Sequence, residues 1–180
     1  IEVDRLSIDV ALASVQKCLA LPPGLALFSC SEKALERSKE VAARGYYFDF
    51  QQFLKYNEKQ QTISTPSIPH IYALNYQLDR IFKEGLENRF NRHEEMAEMT
   101  RRWAWNKGFE LFPEKGYESN TLTCIKNNRG IDVAGTIKRV KERGMEFGNG
   151  YNDLKEKTFR IAHMGDLTVE DVSALLSAIE

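Results

Sequence analysis

A long helical pattern in the middle of the chain constrains the fold more than any other feature. Apolar residues recur at intervals of three and four from Ile71 to Phe82, and an apolar stripe continues from Phe90 to Trp103. We expect a bend at Gly85, because glycine costs about 1 kcal/mol relative to alanine inside a helix. The pattern predicts a long helix that joins two structural units, residues 1–90 with the start of the helix and residues 91–180.

The first unit begins with two short apolar runs separated by a rigid turn. Residues 8–13 and 25–30 predict buried strands, and Pro22, Pro23 and Gly24 predict the turn between them. Lys17 lies in that connection. In an open α/β sheet, ligands gather at the carboxyl ends of the strands, so the loop is a suitable place for a reactive side chain.

The second unit has the pattern of a small α+β domain. Thr168 and Asp171 occupy the positions of a capping box ahead of an apolar face, which predicts a C-terminal helix. His163 is predicted to be a hydrogen-bonded strand residue rather than a catalyst. The other predicted elements are strands over residues 119–126, 146–148 and 158–163 and a helix over residues 132–143.

Composition excludes several classes of function. The net charge is -1, so no basic surplus exists to neutralise a nucleic-acid backbone. The apolar runs are shorter than the roughly 20 residues that span a bilayer, and no charged-then-apolar leader opens the chain, so we expect a cytoplasmic protein without a membrane partner. Three cysteines and three histidines without paired spacing predict no disulfide framework and no metal site.

Lys17 has a sequence environment that can be interpreted in two ways. An ammonium that is buried in an apolar segment has a lowered pKa, and the neutral amine is a nucleophile that can hold a carbonyl cofactor as a Schiff base. Alternatively, the side chain lies over the core and keeps its ammonium in water. The residues around Lys17 alone leave both interpretations open.

Five stretches in a shared order resemble one family across nearly the whole chain. The segment from Ser14 to Ala26 contains Gln16 and Lys17, and the other four are residues 31–35, residues 65–66 ahead of 71–74, residues 84–89 and residues 159–165. Together they resemble the class V pyridoxal-phosphate aminotransferases, the group that contains serine–pyruvate and alanine–glyoxylate aminotransferases. The resemblance implies an α/β fold, the carboxyl-terminal part of a fold type I PLP-dependent transferase. This part comprises the end of the large PLP-binding domain, a long inter-domain helix and a small α+β domain.

The resemblance also implies roles for four residues. Lys17 would hold pyridoxal 5'-phosphate covalently and then move a proton from the substrate α-carbon to the cofactor C4' atom. Gln16 would help to hold the cofactor phosphate, and Thr65 would reach the phosphate of the other subunit's cofactor, which implies a homodimer with shared sites. Arg160 would bind the substrate α-carboxylate with two parallel hydrogen bonds. An internal hydrogen bond of Gln16 and a surface ion pair of Arg160 are the alternatives.

The implied activity is transfer of an amino group from serine or alanine to glyoxylate or pyruvate. The family places the acid that pairs with the pyridine nitrogen, the stacking aromatic residue and the phosphate-binding helix upstream of the lysine, where this sequence has only sixteen residues. We therefore expect a missing amino-terminal half and an inactive isolated chain. A cysteine desulfurase-like enzyme and a non-catalytic interaction fragment are the alternatives, although Cys124 is predicted to be packed within a strand.

Overall fold

The computed structural model describes all 180 residues, which form two compact units. Unit 1 is Ile1–Leu78 and unit 2 is Asp79–Glu180. The division falls inside helix α3 (Ile68–Glu84). A domain boundary of the whole protein near residue 90 stays a prediction.

The central helical pattern forms two helices instead of one. Helix α3 ends at Glu84, and helix α4 (Leu86–Asn106) begins directly after Gly85. Gly85 has a φ of 87°, in the left-handed region that favours glycine. The chain therefore breaks, rather than bends, at the residue that interrupts the sequence pattern.

Unit 1 is a β-hairpin followed by helices. Strands β1 (Val10–Ser14) and β2 (Ala26–Cys30) pair antiparallel along their whole length, near the two predicted runs. The predicted burial of these strands is wrong for this chain, because most of their residues are exposed. Helix α1 (Glu32–Lys39) is capped by the Ser31 hydroxyl, which accepts a hydrogen bond from the Ala34 amide. Helix α2 (Phe50–Asn57) follows, within an aromatic-rich stretch.

Unit 2 is a four-stranded antiparallel sheet with helices packed against it. The sheet has the order β3-β4-β6-β5, and the Thr168–Asp171 capping box is confirmed. One hydrophobic core fills the unit, with Phe159, Ile125 and Met96 fully buried at its centre. The elements are β3 (Glu110–Leu111), β4 (Leu122–Lys126), α5 (Val133–Lys141), β5 (Gly148–Asn149), β6 (Thr158–Ala162) and α6 (Val169–Ile179).

Three features of the side chains and helices bear on function. No helix in the structure combines the length and the apolar character needed to cross a lipid bilayer. No group of three or more histidine, cysteine, aspartate or glutamate side chains is arranged to hold a metal ion. All three cysteines are free thiols.

Candidate active site

The backbone of the β1–β2 connection fixes the position of Lys17. The Ala20 amide donates to the Lys17 carbonyl at 2.9 Å, and the Leu21 amide donates to the Val15 carbonyl at 3.1 Å. Ala20 has a φ of 55°, which a non-glycine residue rarely adopts outside tight turns. These contacts place Lys17 in a short, internally bonded turn, as the sequence predicts.

The Lys17 side chain is exposed, so within this chain its ammonium stays in water, which is the second of the two interpretations of its sequence environment. Val15 takes the buried position with none of its surface exposed, whereas Gln16, Lys17 and Cys18 all face outward. The Lys17 ammonium forms no ion pair with a carboxylate of the chain. Its amine is therefore accessible and uncommitted, but this chain does not surround it with apolar atoms.

His70 joins the hairpin turn to the segment that contains Thr65. Its Nε2 lies 3.1 Å from the Pro23 carbonyl oxygen and its Nδ1 lies 2.7 Å from the Ser67 hydroxyl. Since a carbonyl can only accept, Nε2 carries the proton and Nδ1 accepts from Ser67. Gly24 is required at the contact, because a Cβ there would lie 2.7 Å from the His70 ring. No sequence pattern predicted this link, although Ser67 and His70 have the spacing of one helical turn.

A groove of about 730 Å³ in unit 1 is bordered by both linked segments. Gly24 and Leu25 line it from the hairpin, and Thr65 and Ser67 line it from the segment before α3. Gln16 and Lys17 do not line this groove. The structure thus brings Thr65 to the turn of the hairpin, but it does not bring Thr65 into one cavity with the other two predicted cofactor residues.

The donors of these three residues suit a phosphate-bearing aldehyde. Lys17 offers an amine, Gln16 an amide and Thr65 a hydroxyl, and all three residues are exposed. None of the three side chains is engaged by a hydrogen bond within the chain, so the internal bond considered for Gln16 is not formed. An amine can condense with the aldehyde, and amide and hydroxyl protons can be donated to phosphate oxygens.

Arg160 lies in the middle of β6, where it is half-buried and held by two contacts. Its Nε donates to the Asn149 carbonyl at 3.0 Å, and its guanidinium carbon lies 3.9 Å from the centre of the Tyr151 ring. It forms no ion pair with a carboxylate of the chain, so the surface ion pair considered for it is absent. The guanidinium is oriented by the protein while its terminal nitrogens keep their hydrogen-bonding capacity.

Cys124 lies within a strand, and His163 directly follows one and is hydrogen-bonded. Cys124 lies in β4 opposite Arg160, and burial raises the pKa of its thiol, which disfavours the nucleophilic thiolate. His163 is fully buried, with Nε2 2.8 Å from the Thr123 hydroxyl and Nδ1 3.2 Å from the Asn120 carbonyl. Burial lowers the pKa of His163 to about 4, so the ring is neutral near pH 7.

A buried ion-pair network surrounds the helix break and was not predicted. Arg89, only 6% exposed, donates to Glu84 at 2.8 Å and to Asp166 at 3.2 Å. Arg92 also donates to Glu84, and its Nη2 donates to the Gly165 carbonyl at 3.2 Å. The network ties the break between α3 and α4 to the segment that follows β6. One of the stretches that carry the family resemblance, residues 84–89, therefore contains a structural cluster.

The chain is similar over its whole length to several aminotransferases. The chain is 40% identical over 190 aligned positions to an uncharacterized aminotransferase of Methanocaldococcus jannaschii, covering 100% of this chain and 48% of that protein. It is 35% identical to a serine–glyoxylate aminotransferase of Arabidopsis thaliana, covering 99% of this chain and 45% of the relative. The crystal structure of an alanine–glyoxylate aminotransferase from Nostoc sp. matches 100% of this chain and 49% of its own, with 30% identity and a TM-score of 0.90.

The chain therefore spans about half the length of the relatives it matches. The predicted fold class is confirmed, because the α/β structure superimposes on about half of a solved aminotransferase chain. The family model for aminotransferase class-V matches residues 1–175. This match indicates pyridoxal 5'-phosphate as the cofactor, and the chain belongs to the class V aminotransferase family.

Proposed function

We propose that the full-length protein is a PLP-dependent aminotransferase, of which this chain is the carboxyl-terminal part. The amino donor would be a small amino acid such as serine or alanine, and the acceptor a small 2-oxo acid such as glyoxylate or pyruvate. The Arabidopsis and Nostoc relatives are named for glyoxylate as acceptor, which supports this substrate class. The observation that carries the proposal is the Arg160 guanidinium, oriented by Asn149 and Tyr151 and not neutralised by a carboxylate of the chain.

Arg160 suits a substrate carboxylate for geometric reasons. A guanidinium can donate two parallel hydrogen bonds to the two oxygens of a carboxylate, and both partners of a transamination carry a carboxylate beside the reacting carbon. Because the Arg160 Nε is engaged by the Asn149 carbonyl, the donors left for the substrate are on the terminal nitrogens. A single arginine could therefore bind the amino acid and the 2-oxo acid in turn.

Lys17, Gln16 and Thr65 are the proposed cofactor residues. When bound, pyridoxal phosphate supplies a carbonyl that condenses with amines and a conjugated ring that accepts electrons from the substrate α-carbon. The Lys17 amine would hold the cofactor and, once free, would take the proton from the substrate α-carbon. A poorly solvated amine does this best, so we propose that the amino-terminal part of the full-length protein covers Lys17. Gln16 and Thr65 would donate to the phosphate, Thr65 from the second subunit of a homodimer.

Covalent trapping tests the assignment of Lys17. The full-length protein is loaded with pyridoxal phosphate, reduced with borohydride and digested, and mass spectrometry identifies the modified lysine. We expect modification of Lys17 and loss of serine–glyoxylate transamination in Lys17→Ala. Lys55→Ala is the matched control, because Lys55 is another exposed lysine of unit 1. Cofactor found on a different lysine would overturn the proposal.

Substrate tests separate the aminotransferase from the alternatives. Serine or alanine with glyoxylate should yield glycine and the matching 2-oxo acid, with no sulfide released from cysteine. Sulfide production that is lost in Cys124→Ala would support a desulfurase instead. Size-exclusion chromatography with light scattering checks the proposed homodimer, and a monomer that retains full activity would exclude sites shared between subunits.

A further inference from the structure

We propose that Tyr151 is a positioning residue that holds the Arg160 guanidinium in place for the substrate carboxylate, together with the backbone of Gly148 and Asn149. This inference rests on the carboxylate-binding role proposed for Arg160. The three residues belong to strand β5 and the turn that follows it, and the proposal assigns this short edge of the sheet a role in substrate affinity.

The Tyr151 ring covers one face of the guanidinium. The Arg160 guanidinium carbon lies 3.9 Å from the ring centre, well within the roughly 6 Å over which cation–π attraction acts. Tyr151 is itself 70% exposed, so its ring gains little from burial within unit 2. The contact with Arg160 therefore orients a charged group more than it fills the core.

Gly148 leaves space for the terminal nitrogen Nη2 of the Arg160 guanidinium. Gly148 pairs with Arg160 across the β5–β6 ladder, and a Cβ at residue 148 would lie 2.9 Å from Arg160 Nη2 and 3.3 Å from its central carbon. The φ of Gly148 lies outside the left-handed region, so its backbone does not require glycine. The absence of a side chain at this position serves the guanidinium.

The Asn149 carbonyl completes the arrangement. It accepts from the Arg160 Nε at 3.0 Å, which uses the donor that lies closest to the main chain. A guanidinium fixed at Nε and stacked on one face loses little further freedom when a carboxylate binds to its terminal nitrogens. Positioning of this kind predicts a change in substrate affinity for both carboxylate substrates.

The test measures steady-state kinetics of the full-length holoenzyme with each substrate varied in turn. We expect Tyr151→Leu to raise KM for the amino acid and for the 2-oxo acid by about threefold to tenfold, the range of a partly desolvated cation–π contact, with kcat within about twofold. Tyr151→Phe keeps an aromatic face and should restore most of the lost affinity. Tyr117→Leu removes an exposed tyrosine elsewhere in unit 2 and should leave KM unchanged.

Gly148→Ala and a double variant make the test independent of folding defects in Tyr151→Leu. Gly148→Ala should raise KM similarly, because its new methyl group displaces the guanidinium. In an Arg160→Lys background, Tyr151→Leu should add little, since both changes affect the same contact. A KM increase that persists in that background, or that Tyr151→Phe does not relieve, would overturn the positioning role.

Failure of this inference is distinguishable from failure of the proposed function. If Arg160→Lys leaves both KM values unchanged, Arg160 does not bind the substrate carboxylate and the proposed role of Arg160 is wrong. If Arg160→Lys raises both KM values while Tyr151→Leu and Gly148→Ala do not, Arg160 binds substrate without the help of Tyr151, and the positioning role alone is wrong.

Discussion

The two units of the chain differ sharply in how much apolar surface each buries. Unit 2 has a continuous core around Phe159, whereas the buried hydrophobic residues of unit 1 are Val15 and Ile63. Unit 1 also leaves large apolar side chains in water, including Leu12 at 73% and Phe48 at 79% exposure. Burial of apolar area is the main source of stability, so unit 2 should be the more stable of the two.

The proposed cofactor residues and the proposed carboxylate-binding residue lie on scaffolds of different stability. The three proposed cofactor residues belong to unit 1, and the proposed carboxylate-binding arginine belongs to unit 2. The carboxylate site should therefore keep its geometry in the chain alone, whereas the cofactor residues should depend on cover from the rest of the protein.

The largest expected difference in stability is between two aromatic truncations, one in each unit. Phe159 is fully buried and packs edge-to-face with Phe109 and Phe147, so Phe159→Ala should cost about 3–5 kcal/mol of unfolding free energy. Phe28 stacks on Phe50 but is 41% exposed, so Phe28→Ala should lower the unfolding free energy by less than about 2 kcal/mol. Urea titration followed by hydrogen exchange in both units measures the two values. Equal losses would contradict the comparison.

A smaller loss is expected from opening the buried network at the helix break. Arg89→Met removes one partner from Glu84 and one from Asp166, which keep Arg92 and Arg80 respectively, and we expect a loss of about 2–3 kcal/mol. This is below the cost for a fully buried pair, because the Glu84 and Asp166 side chains keep 27% and 33% exposure. Both tryptophans of the chain are in unit 2, so tryptophan fluorescence during urea unfolding measures the change.

The control for this network is an exposed pair in the weak unit. Lys39 and Glu36 form an ion pair on α1 with both side chains more than half exposed, so Lys39→Met should change stability by less than about 1 kcal/mol. An Arg89→Met variant as stable as Lys39→Met would show that the network contributes nothing to unit 2.

How much the sequence could predict differs between the units for the same physical reason. In unit 2, local patterns and burial agree, so the capping box at Thr168 and the strand around Arg160 were predictable. In unit 1, the apolar neighbours of Lys17 left its burial open, and Val15 is the buried residue next to it while Lys17 itself is exposed. A pattern predicts burial only when the surface that covers it belongs to the same chain.

Contacts between distant residues explain the features that the sequence did not predict. The Tyr151–Arg160 stack and the His70–Pro23 hydrogen bond join residues whose proximity follows from strand pairing and helix placement. Neither contact has a local sequence pattern. The sequence predicted a bend at Gly85 but not a break. Glycine indicates a weak point in a helix, but it does not indicate whether its φ becomes positive and ends the helix there.

A pH effect of intermediate size should appear in unit 2. His163 is neutral in the folded state because burial lowers its pKa from 6.5 to about 4. A histidine with a depressed folded pKa stabilises the fold fully above its unfolded pKa, and this stability is lost as pH falls toward the folded pKa. We expect a loss of about 2 kcal/mol between pH 7.5 and pH 5.

Urea midpoints followed by tryptophan fluorescence at each pH measure this loss. The His163→Gln variant cannot titrate and should show a flatter pH dependence over the same interval, even if it is less stable throughout. A wild type and a variant with parallel pH profiles would show that His163 is not the group responsible.

The smallest expected effect tests whether the weak unit has any internal order of its own. His70→Ala removes the hydrogen bonds to Pro23 and Ser67, and each such bond contributes about 1 kcal/mol. Hydrogen exchange should show faster exchange of the Val15 and Leu21 amides, by up to about thirtyfold if both bonds contribute, with no change in β4 or β6. His70→Asn keeps a side-chain donor, so its exchange rates should fall between those of the wild type and of His70→Ala. Unchanged exchange in the β1–β2 connection would mean that its own turn bonds, and not His70, hold the backbone around Lys17.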